Sequence, residues 1–466
     1  GETRLPRCPA PGRMPVVTGG EEAAAAGWRP GREHARPDQA RPDQARPEQA
    51  RPRRGGVLRH RGFRLLVTAT AISQLGAQVT LVALPLTAVL ELHASAFGVG
   101  LLTAAATAAF LVLGLPAGVW VDRMRRRPVL IAAGAARAVA LGSIPLAALA
   151  GVLTMPQLYA AALVTGVGNV FYDVAYLSFL PALVGRARLA EANARIEAVF
   201  GTVTLTGPAL GGLAVQVLSA AGAIVLDAAG NLVTALLIGL IRLDEPAPDR
   251  SAPRHLGREI AEGLRFVLGH RVLRLNALCG TLAMLSETAL LAVQPVFLVH
   301  ELRLRPGWYG LLIAASAIGG LAGGLAAYRV ISRLGTARSL WLPATVTAPF
   351  VLLAPLAGHG WPVLLYPLGL TLSWAGWSVQ NVAQVSYRQA ATPERLLGRM
   401  NATVRFLMWG AMPLGGLLGG GVATLAGVRA AVWLCAAGSM LAVVPLLAPA
   451  VRHAPSRAED LPGRRG

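Results

Sequence analysis

The chain is predicted to be an all-α integral membrane protein, with twelve transmembrane helices arranged in two pseudo-symmetric six-helix halves. Three observations predict this: an apolar composition, a regular alternation of arginine-rich and arginine-poor loops, and an internal repeat. Of 466 residues, 54% are hydrophobic and only 14% charged, and the mean hydropathy is +0.53. That is too apolar for a soluble chain of this length. A crossing takes roughly 20 apolar residues, so the length suits a dozen crossings with short loops. The net charge is +20 and carried by arginine without lysine. These arginines are scattered between apolar blocks instead of gathered on one soluble domain, so nucleic acid is not expected as a partner. Of the three cysteines, Cys8 lies in a polar stretch and Cys279 and Cys435 in apolar ones; no spacing suggests a disulfide framework or a metal site.

Residues 1–56 are rich in Pro, Ala and Arg and contain the repeat Arg36-Pro-Asp-Gln-Ala, Arg41-Pro-Asp-Gln-Ala, Arg46-Pro-Glu-Gln-Ala. Such composition cannot bury a core. It is expected to be a disordered tail, or sequence upstream of a true start near Val57, and it lacks the apolar stretch of a signal peptide. Apolar segments then follow at 65–90, 97–121, 129–150, 156–183, 195–218, 222–241, 272–299, 308–330, 339–357, 362–387, 400–425 and 428–451. The expected divisions are a first half over 57–242, a connector over 243–271, a second half over 272–451 and a short tail over 452–466.

Orientation follows from arginine, because basic residues in short loops stay on the cytoplasmic side. Arg59, Arg61 and Arg64 precede the first segment, and Arg123, Arg125, Arg126 and Arg127 follow the second. Arg186 and Arg188 follow the fourth, Arg250, Arg254 and Arg258 the sixth, Arg333 and Arg338 the eighth, and Arg395 and Arg399 the tenth. Loops after segments one, three, five and nine carry none, and those after seven and eleven carry only Arg303, Arg305 and Arg429. One miscounted helix would put half of these loops on the wrong face, so the alternation supports both the count and cytoplasmic termini. Within the connector, Ile260, Leu264, Val267 and Leu268 recur at helical spacing among charged residues, the pattern of an amphipathic helix lying on the inner leaflet.

The halves repeat one another. Asn193-Ala194 precedes Gly207-Pro208-Ala-Leu-Gly211-Gly212, and Asn401-Ala402 precedes Met412-Pro413-Leu-Gly415-Gly416. Related halves about an axis normal to the membrane are a known transporter architecture, with substrate bound between them near mid-depth.

Between segments two and three, Gly118-Val-Trp-Val-Asp122-Arg123-Met-Arg125-Arg126-Arg127 resembles the loop signature of the major facilitator superfamily, with Arg125 where glycine is usual. The resemblance implies that Gly118, Asp122, Arg123, Arg126 and Arg127 form an inner gate, a latch that breaks when the halves rock. The competing reading is topology alone, with the arginines holding the loop inside. The second-half counterpart, 324–338, keeps Gly335 and Arg338 but lacks the acid. In segment five, Gly207, Pro208, Gly211 and Gly212 look like the element typical of the superfamily's antiporters, which implies export; their chemistry is that of a bendable, close-packed seam. Phe63-Arg64-Leu65-Leu66, Ser73-Gln74-Leu75-Gly76 and Leu189-Ala190-Glu191-Ala192-Asn193 resemble the exporter branch that includes the enterobactin exporter and macrolide-efflux-like proteins. That branch often places an acid after the glycine of segment one, where this chain has Ala77. The arginine of drug–proton antiporters in segment four is also missing between Tyr159 and Pro181.

Polar groups in hydrocarbon are costly unless they face a cavity or a partner. Several fall at mid-depth: Gln74 and Gln78 in segment one; Asn169, Tyr172, Asp173 and Tyr176 in segment four; Glu287 and Gln294 in segment seven; Trp374, Trp377, Asn381 and Gln384 in segment ten. The superfamily's segments one, four, seven and ten line its central cavity, so the resemblance puts these twelve residues on the transport pathway. Asp173 and Glu287 are the expected coupling acids, since a buried carboxylate can exchange its proton for a cationic substrate. The alternative for Asp173 is a structural ion pair with Arg137; the aromatic residues could be plain packing, and Asp227 is expected to be structural. The expectation is a proton-linked exporter of small amphipathic, possibly cationic compounds, needing no cofactor or metal and acting as a monomer in the plasma membrane. An importer of the same fold and a non-transporting sensor or scaffold are the alternatives; a membrane enzyme lacks support, because no metal-spaced cluster, nucleophile elbow or phosphate loop is present. Deleting residues 1–56 is expected to leave transport intact; abolition of function by that deletion would favour the sensor.

Overall fold

The computed structural model describes residues 57–114, 116–185, 188–243 and 256–453, and the repeat-bearing segment 1–56 and the tail beyond 453 lie outside them. The first half holds α1 (Arg61–Leu90), α2 (Ala96–Leu113), α3 (Pro116–Asp122), α4 (Arg126–Leu149), α5 (Met155–Val184), α6 (Leu189–Leu218) and α7 (Ala220–Gly239). After α8 (Leu256–Gly269), the second half holds α9 (Arg271–Pro295), α10 (Pro306–Leu334), α11 (Thr336–Ser339), α12 (Leu342–Thr347), α13 (Leu365–Ala391), α14 (Leu397–Trp409), α15 (Met412–Ala426) and α16 (Val428–Leu441). Eleven helical segments among the described residues are long and apolar enough to cross a membrane. α13 completes the twelve: its 27 residues reach about 40 Å at 1.5 Å per residue. Trp374, Trp377, Gln380, Asn381 and Gln384 lower its hydropathy.

Several predicted segments are interrupted. The second is divided between α2 and α3, with Pro116 opening the new helix. The ninth is a chain of short helical pieces around Pro343, Pro349 and Pro355, because proline removes a backbone donor and clashes with the preceding turn. The eleventh divides at Gly410, ahead of Pro413.

The connector helix exists as α8, and it packs on protein as well as presenting an apolar face. Val267 is fully buried in a cluster with Met400 and Val404 of α14, and Glu262 pairs with Arg399 and, at 3.9 Å, with Arg395. The start of α14 is thereby tied to the connector.

The two halves repeat in local detail that the sequence comparison above does not reach. His60 and His270 both cap their helices, each ring Nδ1 accepting from the backbone N–H three residues on, at 3.3 Å. Burial pushes the His270 imidazole below its usual range, which keeps that nitrogen an acceptor. At the far ends, Glu91 accepts from the N–H of Ala221 at 2.8 Å, and Glu301, at the same register in the second half, pairs with Arg429 at 2.8 Å. Each acid thus ties the end of the first helix of its half to the start of the last. Ser219 (φ 76°) and Gly427 (φ 92°) make matching one-residue reversals between the last two helices of each half. Serine there carries the strain of a left-handed backbone, and its hydroxyl accepts from Gly222 N–H at 3.1 Å, capping α7.

Glycine joins the halves. A Cβ on Gly212 of α6 would lie 2.6 Å from Pro306 O and 2.9 Å from Gly310 Cα of α10; one on Gly416 of α15 would lie 2.9 Å from Gly100 O of α2. Gly420 repeats this contact one turn on, 2.8 Å from Ala96 O. These crossings bring backbone against backbone at the arginine-poor end of the bundle. The neighbouring glycines pack inside each half: Gly211 against Val79 of α1, and Gly415 against Leu285 O of α9. The two repeat motifs therefore make equivalent pairs of contacts. Toward the arginine-rich end, Gly201 of α6 and Gly320 of α10 would meet nothing within 4 Å.

Gly310→Val is expected to lower stability in detergent by about 1–3 kcal/mol, the range for overpacking. Gly320→Ala should change it by less than about 0.5 kcal/mol. Thermal unfolding of the two purified variants distinguishes them, and equal losses would refute the crossing as a close-packed joint.

Candidate functional site

Two cavities lie side by side, sharing Leu81 of α1 and Leu291 of α9 in their walls. One, of about 240 Å3, belongs mainly to the second half and is lined by Glu287, Gln294, Ser316, Trp374 and Trp377 among apolar side chains. The other, of about 250 Å3, belongs mainly to the first half and holds Thr80, Arg137, Thr165, Asn169, Asp227 and Asn231.

In the second-half cavity the two polar residues of α9 differ in kind. Gln294 is 6% exposed, and both ends of its amide are engaged: its nitrogen donates to Tyr309 Oη at 3.3 Å, and Tyr366 Oη donates to its oxygen at 2.9 Å. It pins α9 to α10 and α13. Glu287, two turns earlier, opens onto the cavity and has no hydrogen-bonding or ionic partner among the described residues. A carboxylate left unpaired inside the bundle is the group most open to a ligand or a proton. Counted from His60 and His270, Glu287 stands where the first half has Ala77, which lines the other cavity. The acid missing from segment one is thus found at the equivalent place in segment seven.

In the first-half cavity, Arg137 of α4 is 6% exposed. Its Nη1 donates to Asn169 Oδ1 at 2.8 Å, and its guanidinium lies 4.8 Å from the centre of the Tyr172 ring. The alternative reading of Asp173 as an ion-pair partner of Arg137 finds no bond between them among the described residues; Arg137 bonds Asn169 instead. Asp227, 2% exposed, accepts from Asn231 Nδ2 at 2.8 Å across one turn of α7 and lines the cavity. It also backs tightly on α1, since a Cβ on Gly76 would lie 2.5 Å from its Oδ1.

The structure brings Glu287, Gln294, Trp374 and Trp377 to one cavity and Asn169 to the other. The remaining pathway candidates lie outside both. Tyr172 and Tyr176 stack at 6.1 Å beside the first-half cavity. Asp173 follows Tyr172, and the charges of Arg405 on α14 and of Arg137 both act on it. Gln78 covers Gly207 with its stem; Gln74 is half-buried and Asn381 exposed. Gln384 is 2% exposed and donates to Asn276 O at 3.3 Å, joining α13 to α9. Arg137, Asp227 and Asn231 were passed over as pathway residues. The available signal was the i, i+4 pair of Asp227 and Asn231 inside an apolar helix, with a lone arginine in another. Arg405 was also missed; it lies over the Trp409 ring at 4.0 Å, and Trp409 meets Phe110 of α2 edge-on at 5.0 Å, a contact between halves.

At the arginine-rich loop, Arg127 donates to the backbone carbonyls of Ile238, at 3.3 Å, and Gly239. It caps the C-terminus of α7, where a cation offsets the helix dipole. Arg123 is exposed and Arg126 half-buried. Gly118 has open space around its Cβ position. The side chain of Asp122 lies outside the described residues.

The sequence matches the transmembrane secretion effector family over residues 56–463, and the chain belongs to that family, within the major facilitator superfamily. It is 32% identical over 414 residues to the multidrug efflux pump Tap of Mycolicibacterium fortuitum, covering 84% of this chain and 97% of that protein. It is 28% identical over 346 residues to the enterobactin exporter EntS of Shigella dysenteriae, covering 73% and 80%. Among solved structures, the nucleoside transporter NupG superposes with TM-score 0.66 at 12% identity, over 82% of this chain and 98% of its own. An inward-facing bacterial homologue of ferroportin superposes with TM-score 0.65 at 17% identity, over 84% and 98%. These superpositions establish the fold.

Gln294→Leu strands the hydroxyls of Tyr309 and Tyr366 and is expected to cost about 1–3 kcal/mol. Unfolding of the purified variant in mixed micelles measures this, and a loss below about 0.5 kcal/mol would contradict the pinning role.

Proposed function

We propose that this family member exports small amphipathic compounds, cationic ones among them, from the cytoplasm by alternating access of its two halves. The observation that carries the reading is Glu287, an unpaired acid open to a cavity walled by Trp374 and Trp377. An acid attracts a cation, and tryptophan faces accept both cationic and apolar surface. The relationship to proteins named as a multidrug efflux pump and an enterobactin exporter supports the outward direction. The arginine-rich end then faces the cytoplasm, by the charge asymmetry of its loops, and the chain works as a monomer in the plasma membrane.

In this reading the glycine crossings close the outer end while the inner end admits substrate. Glu287 exchanges a proton for the cationic part of the substrate as occupancy alters its surroundings, and rocking of the halves delivers the compound outside. Asp173 belongs to the same cycle. Through the charges of Arg137 in its own half and Arg405 in the other, it senses how far apart the halves stand. The loop of Gly118, Asp122, Arg123, Arg126 and Arg127 forms the inner gate, and Gly207, Pro208, Gly211 and Gly212 the seam on which α6 bends. Of the other pathway candidates outside the cavities, Gln384 braces α13 against α9 and the rest lie along the route between the cavities and the cytoplasm.

Expression in a pump-deficient bacterial host should lower the accumulation of cationic amphipathic dyes, and collapse of the proton gradient should restore it. Glu287→Gln is expected to reduce efflux of permanently cationic dyes by about tenfold or more, an amount equal to about 1.4 kcal/mol of interaction. Efflux that continues unchanged after the proton gradient is collapsed would rule out proton coupling; efflux unchanged in Glu287→Gln would remove the acid from the pathway.

A further inference from the structure

The first-half cavity carries more polar chemistry than packing requires. Arg137 uses Nη1 on Asn169 and one face on Tyr172, whereas Nε and Nη2, the two nitrogens along one edge of the guanidinium, have no partner among the described residues. Thr165 Oγ1 and Asn231 Oδ1, on two other helices around the same cavity, are also buried and without partners. Buried polar groups are nearly always hydrogen-bonded, and an arginine edge is built to grip an oxygen acceptor. Three helices thus bring unmet donors and acceptors to one cavity of about 250 Å3.

Charge decides which acceptor fits. Arg137 and Asp227 both line the cavity; ionised, the two sum to zero. A carboxylate entering here would add one uncompensated negative charge in a medium of low dielectric, where such an excess is costly. A carbonyl, hydroxyl or amide adds none. Across Leu81 and Leu291, the second-half cavity holds the reverse imbalance in Glu287, an acid with no partner.

We propose that the first-half cavity is a recognition subsite for a neutral hydrogen-bonding group of the exported compound, an ester or amide carbonyl or a hydroxyl, held by the Nε and Nη2 edge of Arg137 while the cationic part faces Glu287. The proposal rests on the export reading above and names its substrate class more narrowly: a cation with a neutral acceptor some way along the molecule. Asp227 sets the selectivity by neutralising Arg137, and Asn231 and Thr165 serve groups that donate as well as accept.

Two dyes with one xanthene cation test it: rhodamine 123, a methyl ester, and rhodamine 110, its free carboxylate. Binding is read by fluorescence polarisation with the purified full chain in nanodiscs at constant neutral pH, each variant first shown by size exclusion to be folded. Wild type should bind the ester about tenfold more tightly than the carboxylate. Asp227→Asn, which leaves Arg137 uncompensated, should reverse that preference. Arg137→Gln should weaken the ester about tenfold, and Arg137→Lys, which keeps the charge but loses the edge, should weaken it nearly as much. Glu287→Gln should weaken both dyes alike and preserve their ratio. A ratio unaltered by Asp227→Asn and by both Arg137 variants, or a wild type that prefers the carboxylate, overturns the subsite while leaving export standing. Failure of folded wild type to bind either dye overturns the reading as an exporter of amphipathic cations, and the subsite with it. Should Asp227→Asn fail to fold, the Arg137→Lys comparison still decides.

Discussion

Close approach of helix backbones at the arginine-poor end is the constraint on which the rest of the structure depends. Lipid tails are as apolar as leucine, so helices in a bilayer gain little from hiding apolar side chains and associate through packing and hydrogen bonds. Here the halves meet where Gly212 lies on Gly310 and where Gly416 and Gly420 lie on α2. Because these contacts gather at one end, the interior beyond them can hold two cavities, one mainly in each half and adjoining at Leu81 and Leu291. Larger residues at the crossings would push the helices apart and remove the walls of both.

The polar residues of the interior form a graded series in how fully their hydrogen-bonding groups are met. Gln294 has both ends of its amide satisfied by tyrosines and behaves as a rivet. Gln384 reaches a backbone carbonyl of α9 and does the same. Arg137 is satisfied in part, and Glu287 has no partner among the described residues. In a medium without water, leaving a polar group unmet is costly. Arg137 and Glu287 stand on cavity walls, one in each half, whereas Gln380, with both ends of its amide unmet among the described residues, is fully buried away from either cavity.

Pseudo-symmetry is kept at the helix ends and glycine contacts and broken at the cavity walls. The histidine caps, the acids Glu91 and Glu301, the reversals at Ser219 and Gly427, and the paired glycine contacts recur in both halves. Glu287 answers to Ala77, and, counting from the reversals, Asp227 and Asn231 answer to Cys435 and Ser439. The two cavities therefore share a scaffold and differ in charge: a lone acid lines one, and an arginine and an aspartate both line the other.

The sequence by itself determined the membrane environment, the run of twelve segments, the relatedness of the halves and the amphipathic connector helix. Each is written in composition or period, which a linear chain displays directly. It also singled out Glu287, Trp374 and Trp377, because a polar or aromatic residue inside an apolar stretch stands out without a partner being known. The breaks at Pro116 and near Pro343 were legible in principle, since proline marks them locally. Only the tertiary structure decided which polar residues are satisfied. Whether Gln294 is a rivet or a ligand contact depends on tyrosines 15 and 72 positions away, and whether Arg137 pairs with Asp173 or with Asn169 depends on the rotation of α4 against α5. Asp227 was set aside on sequence as structural, because its depth in α7 is visible in the chain while the cavity beside it is formed with α1, α2, α4 and α5. Depth is a property of one helix, but a cavity belongs to several, and only their packing creates it.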